Sequence, residues 1–183
     1  MVDLQKNHPF EPEHTQEVPE ELFAEIGCRL VLLQDLEMFI AYVSKVVFAE
    51  NAQKAKEAIL NADTMTLGQL MGLLRKNVEI EESFDECLKR TLGARNLFVH
   101  EFSHEFNIHT EAGAKEAIKF LVDTMDDLEE SMQVMKAVIV SFGRSRSVED
   151  KELEDYWRKH GDLSQLELKY IPRASKSLKK KTP

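Results

Sequence analysis

The chain predicts an all-α fold, an antiparallel helical bundle with two long helices. Three observations carry this. Pro is absent between Pro19 and Pro172 and Gly is sparse in that span, so little in it interrupts a helix. Apolar residues recur there at steps of three and four, the period of one helix face. No stretch alternates apolar and polar residues with β-branched enrichment, so no strand is expected. At 183 residues, 43% of them hydrophobic, the chain can build one domain with a real core.

Residues 1–18 are rich in Pro and Glu and read as an extended arm. Pro19 suits a first helical position, and Glu20 and Glu21 favour the positive end of the helix dipole. A long helix follows to about Glu50, with Leu22, Ile26, Leu30, Leu33, Leu36, Ile40 and Val43 at helical spacing. The Ala- and Lys-rich stretch from Asn51 to Ala62 continues helical. Asp63-Thr64-Met65-Thr66 is a break, and Thr66 caps a short helix carrying Leu67, Leu70, Leu73 and Leu74.

The next helix opens near Glu81–Ser83 and runs to about Asn107, with Leu88, Leu92, Val99, Phe102 and Phe106 in one stripe. Thr110 caps another, with Gly113 at its third position, and this helix runs to Phe142-Gly143, where Gly143 suits a C-cap. A short amphipathic segment, Val148 to His160, gathers Leu153, Tyr156 and Trp157, and Gly161 ends it. The division expected is an arm at 1–18, a bundle domain at 19–143, and a short helix with a basic tail at 144–183. Lys169, Arg173, Lys176, Lys179, Lys180 and Lys181 crowd that tail. It reads as a solvated end within reach of RNA or an acidic partner.

The net charge of -9 weighs against a surface that grips nucleic acid throughout. No apolar run reaches the length of a membrane span, and the N-terminus lacks an apolar signal core. The chain therefore reads as cytoplasmic, with no membrane partner. Cys28 and Cys87 lack zinc-ligand spacing and read as reduced thiols.

Two motifs overlap between Arg95 and His104. In one, Arg95 is followed by Asn96 and, five positions on, by His100. In the other, His100-Glu101-Phe102-Ser103-His104 spells His-Glu-x-x-His, the zinc-protease signature, with His100 and His104 as ligands and Glu101 as base. Three features weaken the zinc motif. Glu105 follows the second His, no third ligand stands at the extended spacing (Asn107 and Thr110 occupy the key positions, and His109 falls one residue early), and no strand is visible to align a peptide. Arg95 lies in the apolar seam, where a charge needs a partner, an anion or water. On an ideal α-helix Arg95 and His100 stand about 140° apart. A site using both then needs long side chains or two subunits. Long helices of this kind extend their apolar faces into a partner, so a homodimer is expected.

The Arg95-Asn96 pair with His100, on an internal helix of a bundle with long helices, resembles the Arg-x(4–6)-His motif of the HEPN superfamily. The segment Thr66-Leu67-Gly68-Gln69-Leu70 with Leu73-Leu74-Arg75-Lys76 resembles one that precedes this motif in many small bacterial proteins. The resemblance covers roughly residues 19–143. It implies a dimeric ribonuclease of a toxin–antitoxin, phage-defence or RNA-processing system, or a relative that only binds. An antitoxin or regulatory protein is then a partner. Arg95 would hold the scissile phosphate, His100 would move protons, and Asn96 would orient them, with no metal or other cofactor. Dependence on the 2'-hydroxyl would restrict cleavage to RNA.

Overall fold

A computed structural model describes residues 19–49, 53, 65–145 and 165–181. The arm at 1–18, the 51–62 stretch apart from Gln53, and the 148–160 segment lie outside the described residues. The described chain is almost wholly helical. Helix α1 spans Glu20–Tyr42 and widens into a π-type turn at Val43–Val47. Helix α2 is Leu67–Asn77, and strand β1 is Val78–Ile80. Helix α3, Glu82–Asn96, passes through a π-type turn at Leu97–Glu101 into the single turn of α4, Phe102–Glu105. Helices α5, Glu111–Asp123, and α6, Met125–Ser145, follow. A third π-type turn, Leu166–Tyr170, leads into α7, Ile171–Ser177, and strand β2, Leu178–Lys180. Among the described residues no helix is long and apolar enough to cross a membrane.

Two of the expected caps are present with their bonds. Thr66 accepts from the Gln69 backbone N–H at 3.4 Å, and the Gln69 side chain accepts from the Thr66 N–H at 2.9 Å, a reciprocal capping box. Thr110 Oγ1 accepts from the Gly113 N–H at 3.2 Å and donates to the Asn107 carbonyl at 2.9 Å. That turn lays the Asn107 backbone against Gly113. A Cβ there would stand 2.2 Å from the Asn107 carbonyl oxygen, so only Gly fits.

Helix α6 is the spine. Leu128, Met132, Val134, Met135, Ala137, Val138, Ile139 and Val140 are all buried. They share one core with Leu33, Leu36, Phe39 and Ile40 of α1, Leu70 and Leu74 of α2, and Phe84 and Leu88 of α3. A smaller cluster joins Leu22 to Ala114, Ala117 and Leu121, and Phe98 touches both clusters.

The structure departs from the sequence expectations in several places, among them the first long helix, whose regular part ends at Tyr42 and not near Glu50. The helix expected from Thr110 to Gly143 is two helices. Thr124 leaves helical geometry at φ -99° and ψ 4°. Its carbonyl accepts from Arg29 Nη1 at 3.1 Å, while Arg29 Nη2 donates to the Leu121 carbonyl and to Thr124 Oγ1. Arg29 is only 3% exposed, and its donors satisfy carbonyls that a helix end leaves open. Burial draws its pKa below the ordinary value, with the Cys28 and Glu25 charges acting in the opposite direction. Gly143 does not cap α6, which continues to Ser145.

A strand pair exists where none was expected. Antiparallel β1 and β2 match Val78 to Lys180, Glu79 to Lys179 and Ile80 to Leu178. The basic tail is therefore not a free solvated end as far as Lys181. Leu166, Tyr170, Ala174 and Leu178 enter the main core, and Lys181 Nζ donates to the Arg75 carbonyl at 2.7 Å at the end of α2. Cys28 is exposed and Cys87 buried, and both are free thiols.

Replacing Arg29 by Met should cost about 1–3 kcal/mol, because it leaves buried carbonyls at the α5–α6 break unpaired. Urea unfolding should show a lower midpoint at unchanged slope. An unchanged midpoint would mean that water serves those carbonyls equally well.

Candidate functional site

The widened turn at Leu97–Glu101 builds the site. A π-type turn closes i to i+5 rather than i to i+4 and holds one residue more than an α turn. That extra residue has two effects. It brings His100, five positions after Arg95, round onto the same face. It also shifts the apolar phase, so Phe98 rather than Val99 turns inward.

Val99, expected in the buried stripe, is 47% exposed, whereas Phe98 packs against both cores. The Phe98 and Phe102 rings meet edge-on at 5.5 Å, Phe102 and Phe106 at 5.2 Å, and Phe106 approaches Phe120 at 5.3 Å. These rings clamp the turn onto α5.

Arg95 and His100 therefore meet within one chain. Arg95 Nη1 lies 3.4 Å from His100 Nε2 and also donates to Asn96 Oδ1 at 3.4 Å. The 140° separation of an ideal α-helix does not apply across this turn, so neither unusual reach nor a second subunit is needed to pair them. The partner that the Arg95 charge requires comes from α1: Arg95 Nη2 donates to Glu37 Oε1 at 3.2 Å. The side chains of Arg95 and Glu37 retain 18% and 31% exposure, and Asn96 and His100 are exposed. Among the described residues the cluster therefore lies at the surface, with Asn96 and His100 its more exposed members. A cavity of about 310 Å³ lies elsewhere, lined in part by Phe48, Val138, Phe142 and Leu178.

Glu37 escaped the sequence analysis. Its only signal was an acid between apolar Leu36 and Met38 on a helix with apolar residues on both faces. His104 and Glu105 lie on α4, and Glu101 and His109 beside it; all four are exposed. Among the described residues no group of three or more His, Cys, Asp or Glu side chains gathers as a metal site would require.

Chemically, the cluster holds a fork of guanidinium donors, an imidazole, a carboxamide and a carboxylate. This set suits an oxyanion or phosphate and can move protons beside it. The chain matches no family model, no curated protein and no solved structure.

The π-type turn makes a contrast that stability measurements can read. Phe98→Ala should cost about 2–4 kcal/mol, a little below the range for a fully buried ring. Val99→Ala should stay within about 0.5 kcal/mol. An uninterrupted α-helix would reverse the two.

Proposed function

We propose that this chain is a HEPN-like, metal-independent endoribonuclease of the toxin–antitoxin or phage-defence kind, working in the cytoplasm. The observation that carries the proposal is the contact of Arg95 Nη1 with His100 Nε2 on an open face, with Asn96 bonded to the same guanidinium. An RNA strand needs a cation at the scissile phosphate and a proton-transfer group within reach of the 2'-hydroxyl and the leaving oxygen. Arg95 supplies the first and His100 the second, and Asn96 orients the guanidinium.

A second copy of the chain is the proposed partner. The seam on α3 and α4 that suggested a dimer is spent on Phe120, because Phe98, Phe102 and Phe106 pack inward. The face left open is on α1: Phe23, Leu30, Val31, Met38 and Tyr42 are exposed at helical spacing, with Phe23 at 59% and Met38 at 57%. Glu37, which holds Arg95, borders that stripe, so a dimer formed there would draw the two sites together. An antitoxin or regulatory protein would cover the same face or the site itself.

Zinc chemistry through His100, Glu101 and His104 is the competing proposal. It makes both histidines ligands, whereas the ribonuclease needs only His100. His100→Ala should therefore reduce cleavage of single-stranded RNA by about 10²–10⁴-fold. Arg95→Ala should be comparably damaging, His104→Ala nearly silent, and RNA with 2'-deoxy at the cut site resistant. Equal loss in His100→Ala and His104→Ala would favour zinc. No cleavage by the wild-type protein, with or without added divalent metal, would favour a non-catalytic HEPN-like binding module.

The dimer has its own check. Leu30→Glu combined with Met38→Glu should convert a dimer to a folded monomer in light scattering. A wild-type protein that is already monomeric at micromolar concentration would rule out this interface.

A further inference from the structure

Cleavage of RNA through its own 2'-hydroxyl moves two protons, one off the 2'-hydroxyl and one onto the 5'-oxygen that leaves, and a positioned group for each speeds it. The Arg95–His100 pair contains one. The geometry points to Glu37 as the other, a catalytic carboxylate supplied by α1; this rests on the ribonuclease function proposed above.

The arrangement is specific. One guanidinium carries the two candidate groups on its two terminal nitrogens: Nη2 at 3.2 Å from Glu37 Oε1, and Nη1 at 3.4 Å from His100 Nε2. A phosphate drawn to that guanidinium would lie between a carboxylate on one side and an imidazole on the other. The nucleophile and the leaving oxygen sit on opposite sides of the phosphorus in an in-line displacement. Glu37 keeps 31% of its side chain exposed, so it can reach a ligand on the open face, and its second carboxylate oxygen, Oε2, is not the one bonded to Arg95.

In the step that follows, the Glu37 carboxylate removes the proton from the 2'-hydroxyl. The 2'-oxygen bonds to phosphorus as the bond from phosphorus to the 5'-oxygen breaks. A phosphate that takes over Arg95 Nη1 releases His100 Nε2 from that donor, and the His100 imidazolium then gives its proton to the departing 5'-oxygen. The products are a 2',3'-cyclic phosphate and a 5'-hydroxyl, with Glu37 protonated and His100 neutral. No oxidant, metal or second substrate enters. Each protomer then holds a complete set of groups, and a dimer is not required to assemble one.

The test separates this role from mere support of Arg95. Glu37→Gln keeps an oxygen that can accept from Arg95 Nη2 but removes the base. Its kcat on single-stranded RNA should fall about 10²-fold or more with KM little changed, and Glu37→Asp should recover part of the loss. A second substrate, uridine 3'-(4-nitrophenyl phosphate), has a leaving group that departs without a proton. On that ester His100→Ala should return toward wild-type rates while Glu37→Gln stays impaired.

Glu37→Gln within about threefold of wild type on RNA, or rescued by the ester in place of His100→Ala, would overturn the assignment and leave the ribonuclease proposal standing. If Glu37→Gln fails to fold by circular dichroism, Glu37→Ala takes its place: loss on RNA that the ester does not restore supports the base, and activity within about threefold of wild type refutes it. A wild-type protein that cleaves neither substrate would remove the ribonuclease function and this assignment together.

Discussion

The architecture hangs on a buried cation that has hydrogen-bonded oxygens, not a carboxylate, as its direct partners. Arg29 sits on α1 at the point where α5 gives way to α6, and it reads the carbonyls of Leu121 and Thr124 together with the Thr124 hydroxyl. A buried charge is tolerable only where its donors are satisfied, and a helix end is where carbonyls stand free. Each feature answers the need of the other. The break at Thr124 gives Arg29 its acceptors, and Arg29 gives the break its caps. Because α6 is the spine of the main core and α5 carries the smaller one, this junction fixes both clusters against α1. It also fixes the height of Glu37, two turns further along the same helix.

The candidate site is a product of that frame. Arg95 and His100 come from one continuous stretch, but their meeting depends on the widened turn between them, which Phe98 and Phe102 anchor on the aromatic group around Phe120. Glu37 then ties the end of α3 to α1 across the sequence. π-type turns recur at functional positions because the extra residue re-aims a side chain at a cost the surrounding packing must cover. Here the covering comes from apolar rings on the inner face, which leaves the polar groups on the outer one.

What could be read from the sequence was what side chains announce at fixed offsets. Thr66 and Thr110 were legible as caps because the bond from a cap to the third helical residue is local. The helical class was legible because apolar steps of three and four repeat across most of the chain. The break at Thr124 was not, since no Pro or Gly stands there and its cause lies on another helix. Arg29 did leave a trace: Leu22, Ile26, Arg29 and Leu33 step by four, three and four, which puts a charge in an apolar row. The widened turn left none: Phe98, Phe102 and Phe106 step by four, a spacing that one face of a regular helix also carries. The strands were too short, at three residues each, for a period of two to declare itself.

Those strands have a consequence for how the chain reaches its fold. Most contacts in a helical bundle are local and form early. The pairing of Val78 with Lys180 instead closes a loop of roughly a hundred residues, an entropic cost of about 4 kcal/mol beyond the constant term. Three residue pairs recover that cost only once Leu166, Tyr170, Ala174 and Leu178 have found the core. The last strand is thus held less by its own three pairs than by the core contacts of the segment that leads into it.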